Sequence, residues 1–162
     1  MILSGDIAAP EESHSKQLLA VFERYPEIFK NKTLVCNFEG LLYEGARLQL
    51  NKPVLYNHAD ILKTLTGRGK VVAALANNHI LDLPENYDLT KKAFSDSGIA
   101  FGGAGRNKAE ADEPIRFSDN GHEIILYNAC WDFLLYHQKN PTNGVYIAEI
   151  NESELIKSVI QT

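Results

Sequence analysis

Two stretches, Thr33-Leu34-Val35-Cys36-Asn37 and Val71 to Ala76, are apolar at almost every consecutive position, and this restricts the fold more than any other feature. A strand with no polar face has to be covered on both sides, which is the environment of a parallel sheet between other layers. The segments around them carry helical spacing instead. Leu18, Leu19, Val21, Phe22 and Tyr25 form a stripe in a first helix that opens near Pro10 and is closed by Pro26. Ile61, Leu62 and Leu65 mark a second helix, ended by Gly67 and Gly69. A third is expected from Asp82, spaced to Glu85 as in a capping box, to Gly98. A very short first strand ends at Gly5-Asp6, a loop rich in glycine and charge spans Gly40 to Lys52, and Ile99 to Phe101 is a further strand. The result is the alternation of βαβ units, an α/β fold with a largely parallel sheet.

The C-terminal third reads differently. Asn120-Gly121 separates Ile115-Arg116-Phe117 from Glu123 to Tyr127, which predicts a hairpin and an antiparallel portion. Asn151 and Glu154 would cap a last helix with Leu155, Ile156, Val159 and Ile160 as its stripe. A crossover helix ordinarily feeds another strand, so the expectation is a single domain over residues 1–162 that is cut short at its C-terminus.

A chain of 162 residues has room for one domain with a true core. Its net charge of −5, from 21 acids and 16 scattered bases, excludes the basic stripe that a phosphate-backbone binder needs, so no nucleic-acid partner is expected. Cys36 and Cys130 fall in apolar segments and read as buried thiols. With neither a leader-like start nor an apolar run long enough for a membrane span, the expected location is the cytoplasm.

Three polar clusters follow the ends of three predicted strands: Gly5-Asp6, Asn37-Phe38-Glu39-Gly40 and Asn77-Asn78-His79. Ligands of open α/β sheets bind outside the carboxyl ends of the strands, so these clusters should converge. Two carboxylates (Asp6, Glu39), the Asn78 amide oxygen and the His79 imidazole form a hard donor set suited to Mn²⁺, Mg²⁺, Fe²⁺ or Zn²⁺. Each cluster has a plainer reading as well. Asp6 can cap the helix near Pro10, Glu39 can be a loop acid, Asn77 and Asn78 can be turn residues, and His79 can be a satisfied histidine. Asp82 can cap the third helix or orient His79.

The order Gly5-Asp6, Asn37-Phe38-Glu39-Gly40 and Ala76-Asn77-Asn78-His79-Ile80-Leu81-Asp82 resembles the bacterial CapA family of capsule and poly-γ-glutamate synthesis proteins. The likeness continues through Ser97-Gly98-Ile99, Gly102-Gly103-Ala104-Gly105-Arg106-Asn107, Glu110-Ala111 and Pro114, covering roughly residues 1–117. That family is similar to calcineurin-like metallophosphoesterases, and the resemblance implies the αββα sandwich of that fold, here its N-terminal portion. It implies up to two divalent metal ions, with Asp6 as a ligand, Glu39 as the bridging carboxylate and Asn78 on the second metal. His79 would contact a phosphate or protonate a leaving group, with Asn37, Lys52, Asn77 and Asp82 as supporting or substrate groups. Two metals about 3.5–4 Å apart activate water and hold a phosphate ester for displacement.

The departures are specific. Asp6-Ile7-Ala8 lacks the histidine of the Asp-x-His pattern, and the later His-x-Gly and Gly-His-x-His segments are not found. His14, His58, His122 and His137 read as ordinary surface histidines. An incomplete second sheet would leave an apolar face inviting self-association. The expected function is a metal-dependent, phosphoesterase-type hydrolase of capsule, polysaccharide or poly-γ-glutamate metabolism, acting on a small-molecule or polymer substrate. The alternatives are a non-catalytic subunit of an envelope-polymer assembly and a nucleotide-binding domain using the Gly102–Gly105 turn.

Overall fold

A computed structural model describes residues 1–45, 48, 54–131, 144–150 and 156. The described elements are β1 (Ile2–Ile7), α1 (Glu12–Arg24), α2 (Pro26–Phe29), β2 (Leu34–Phe38), β3 (Leu41–Tyr43), β4 (Tyr56–His58), α3 (Ile61–Thr66) and β5 (Val71–Ala74). They continue with α4 (Tyr87–Asp96), β6 (Ala100–Gly102), β7 (Ala104–Gly105), α5 (Lys108–Asp112), β8 (Ile115–Asp119), β9 (His122–Leu126) and β10 (Tyr146–Ile147). The fold is α/β, as expected. Its centre is a four-stranded parallel sheet in the order β1-β2-β5-β6.

The two apolar runs form the middle of that sheet, and alternate residues serve two different cores. Leu34, Cys36, Phe38, Val71 and Ala73 pack with Phe22 of α1, Ile61 and Leu65 of α3, and Tyr87 and Phe94 of α4. Val35 and Val72 point to the other face, where they meet Ile115 with Ala100, Phe117 and Leu126 packed against them. The β8–β9 hairpin is thus a separate sheet that covers this second face, giving a helix layer, a parallel sheet and part of a second sheet. Its turn is formed by Asn120 at φ 50° and Gly121 at φ 82°, the two left-handed residues that match a tight turn to strand twist.

Several boundaries differ from expectation, each for a local reason. In α1 the inward positions are Ser15 and Phe22, flanked by half-buried Leu18 and Leu19, while Val21 is exposed because it lies off that line on a 3.6-residue helix and Tyr25 is exposed because the helix has already ended at Arg24. The Gly40–Lys52 segment opens with a strand, β3, which pairs in parallel with β4 and donates a hydrogen bond from Leu42 N–H to Thr90 Oγ1. The third helix starts at Tyr87, since Leu83-Pro84 interrupts the chain after a 3₁₀ turn over Asn78–Leu81, and no Asp82–Glu85 capping box forms. The expected last helix lies outside the described residues except for Ile156, which is helical and exposed. Cys36 and Cys130 are buried and free. No helix among the described residues is long and apolar enough to cross a membrane.

Candidate metal centre

Asp6 belongs to β1 itself rather than to the loop after it, and a single irregularity decides where it points. Leu3 pairs with Val35, but Asp6 pairs with Asn37, so β1 carries one extra residue between these positions. Without that bulge Asp6 would face Phe38 and enter the helix-side core. With it, Asp6 turns to the same face as Asn37, and Ile7 takes the core position beside Phe38.

The strand ends then bring two carboxylates to one amide. Asn37 Nδ2 donates to Asp6 Oδ1 at 2.8 Å and to Glu39 Oε1 at 2.6 Å. Its orientation follows from the backbone. Asn77 Oδ1 accepts from the N–H groups of Gly40 and His79, at 3.4 and 3.1 Å, so Asn77 Nδ2 must face the other way. There it donates to Phe38 O at 2.9 Å and Asn37 Oδ1 at 3.2 Å, which leaves the Asn37 NH₂ group toward the acids.

Glu39 is only 8% exposed, and its second oxygen, Oε2, is buried with no hydrogen-bond partner. Burial holds the Glu39 carboxyl above the usual carboxylate range, against the Asn37 hydrogen bond that lowers it. The negative charge of Asp6 adds to the rise, and His79 and Asp82 act on it with opposite signs. A buried acceptor of this kind is costly to leave unmet, and a proton or a cation would satisfy it.

His79 stands on the 3₁₀ turn that follows, half-buried, with Nδ1 2.7 Å from Asp82 Oδ2. A carboxylate can only accept, so Nδ1 carries the proton and Nε2 is the unprotonated nitrogen of the neutral ring. The same Asp82 oxygen accepts from Leu55 N–H at 2.9 Å, which pins the imidazole's support to the chain entering β4. Asp82 therefore orients His79 and does not cap a helix. Opposite this turn, Asn128 Oδ1 accepts from Ala76 N–H at 2.7 Å, anchoring the start of the Asn77-Asn78-His79 segment.

Of the residues singled out in the sequence, Asp6, Asn37, Glu39 and Asn77 form one hydrogen-bonded group, and His79 with Asp82 forms a pair beside it. Asn78 is half-buried at the head of the turn and is not bonded to Asp6 or Glu39. Among the described residues no three His, Cys, Asp or Glu side chains stand together as a complete metal cluster. Lys52 and His137 lie outside the described residues. His122 is exposed as expected, whereas His58 is half-buried against Asp60 and His14 is half-buried with an unbonded, buried Nδ1. Sequence reasoning missed Asn57 and Asn128, because a lone asparagine near a helix or hairpin reads as a turn residue.

The parallel α/β sheet and the acidic, amide-lined cluster beside its carboxyl ends define the class: a protein with a polar strand-end site. Its sequence matches the family described as bacterial capsule synthesis protein PGA_cap over residues 2–157. The chain belongs to that family, and the match extends past residue 117 to take in the β8–β9 hairpin and β10. No curated protein matches it.

Proposed function

We propose that this capsule synthesis protein is a metal-dependent hydrolase of envelope-polymer metabolism, with a phosphoester as the bond it cleaves. One observation carries the reading: Asp6 and Glu39, from neighbouring strands, share one amide donor while Glu39 Oε2 stays buried and unpartnered. The donor set suits a hard divalent cation such as Mn²⁺, Mg²⁺, Fe²⁺ or Zn²⁺, with Asn78 on the following turn as a further oxygen donor. Bound there, the cation would supply Lewis-acid polarisation of a phosphoryl oxygen. Asp6 and Glu39 would hold it, and Asn37 is a spacer that bonds one oxygen of each acid. His79, protonated at both nitrogens in its acidic form, delivers the Nε2 proton to the departing oxygen while Asp82 fixes the ring.

The test is calorimetric titration with Mn²⁺ together with hydrolysis of a generic phosphodiester. Asp6→Asn and Glu39→Gln should each weaken Mn²⁺ binding by about 10-fold or more. His79→Ala should keep the metal and lower turnover by roughly 10²–10⁴-fold. Equal Mn²⁺ affinity in the wild type and both acid variants would refute the metal centre. Metal binding with no turnover on any phosphoester would refute the hydrolase and leave a binding module of a synthesis assembly.

A further inference from the structure

We propose that Asn57 is a positioning residue, a side-chain amide wedged between the ends of β1 and β2 that sets the spacing of the Asp6 and Glu39 carboxylates. The inference rests on the metal-centre reading for its consequence, though not for its geometry. The ladder between the two strands runs to Glu39 N–H donating to Ile7 O at 3.0 Å. Past that rung the backbones no longer bond to each other. Ala9 N–H donates instead to Asn57 Oδ1 at 2.8 Å, and Asn57 Nδ2 donates to Glu39 O at 2.8 Å.

A carboxamide has the donor and acceptor of a peptide group, so Asn57 completes one more rung with itself inserted between the strands. The two chains are held apart there by the width of that amide. Its orientation is fixed, because a flipped amide would turn NH₂ toward Ala9 N–H and oxygen toward Glu39 O. Asn57 is completely buried, and β4 grips it from behind through the Leu42–Asn57 register. His58 N–H adds a bond to Ala9 O at 2.7 Å, so the end of β1 is tied to β4 on both sides of Ala9. Asp6 lies three residues before Ala9, and Glu39 is the residue whose own carbonyl is held. A change at Asn57 therefore reaches both acids without touching either side chain. Ionised aspartate can accept from Ala9 but cannot donate to Glu39, and alanine can do neither.

The experiment compares Asn57→Ala with Thr90→Val, which removes a hydrogen bond of the same buried side-chain-to-backbone kind, to Leu42 N–H. One readout is the ¹H–¹⁵N signal of the Asn37 side-chain amide in chelator; the other is Mn²⁺ affinity. Asn57→Ala should displace the Asn37 signal, speed its exchange with water by about 10-fold, and weaken Mn²⁺ by roughly 10–100-fold. Thr90→Val should lower the melting temperature comparably and move neither. Where Asn57→Ala fails to fold, Asn57→Asp, which loses the bond to Glu39 O, is read in its place. An unchanged Asn37 signal in the Asn57 variant, or an equal response from Thr90→Val, would overturn the wedge. Failure of the wild type to bind Mn²⁺ would remove the metal centre, while the Asn37 signal would still decide the wedge by itself.

Discussion

Replacing Glu39 by glutamine should stabilise the protein without metal and destabilise it relative to wild type with metal. Glutamine keeps the Oε1 acceptor for Asn37 and removes the charge from a side chain that is 8% exposed. Two effects oppose each other. The charged bond from Asn37 exceeds a neutral one by roughly 1 kcal/mol, whereas an unmet buried group costs about 1–3 kcal/mol, and more when charged. The raised Glu39 carboxyl shows that burial wins. The variant should gain on the order of 1 kcal/mol in chelator at pH 8, or about 2–4 °C in a domain of this size. The sign with pH follows from the raised value: the folded state holds the Glu39 proton more tightly than the unfolded chain does. That contribution to stability is complete below the ordinary carboxyl value of 4.5 and is lost as pH rises through the raised one. Wild type and variant should thus melt together near pH 4 and separate above it. With Mn²⁺ at 100 times its dissociation constant, the wild type gains roughly 2.7 kcal/mol and the order reverses. Thermal melts at both pH values, with chelator and with Mn²⁺, measure all four conditions. A variant less stable than wild type in chelator at pH 8, or an equal response of both to Mn²⁺, would refute the reasoning.

Gly103→Ala should cost at least about 2 kcal/mol, because Gly103 sits at φ +95° and an added Cβ would fall 2.1 Å from Asn128 Oδ1 and 2.7 Å from Ala76 N. The melting temperature should fall by several degrees, and an unchanged value would show that the Asn128–Ala76 contact is not close. Burial pushes the Cys36 thiol up to about 12 and raises that of Cys130, so an aromatic disulfide reagent at pH 8 should titrate both only in denaturant. Rapid modification of either thiol in the native protein would contradict their packing.

The parts of the fold legible in the sequence are those where one physical demand acts over several residues. Leu34 to Phe38 and Val71 to Ala74 read as buried strands because both of their faces meet cores, and Asn120-Gly121 reads as a turn because few other pairs take two left-handed conformations. The clusters at Asp6, Glu39 and Asn77 were legible for the same reason, through their place at the strand ends. The single-residue events were not. The bulge before Asp6 leaves no mark in Ile2-Leu3-Ser4-Gly5, since inserting one residue changes pairing without changing composition. Asp82 is equally suited by type to a cap or to a histidine partner, and only the interruption at Leu83-Pro84 settles which it becomes.

The site's support follows a single logic that the sheet order imposes. The described strands, in the order β1-β2-β5-β6, never reverse direction of progress, so among them no crevice opens of the kind found where two halves diverge. The strand ends are held in place by side chains instead. Asn57 separates β1 from β2, Asn77 joins the end of β2 to the turn after β5, and Asn128 holds the end of β5 toward the hairpin. Each uses a carboxamide, which can satisfy one backbone donor and one backbone acceptor without bringing a charge. Asp6 and Glu39 are the two acids on the Asn37 amide, and their repulsion adds to the rise of the Glu39 carboxyl. Neutral struts around two neighbouring acids are an arrangement that a divalent ion would stabilise, and the proposed metal would tie the stability of these strand ends to its binding.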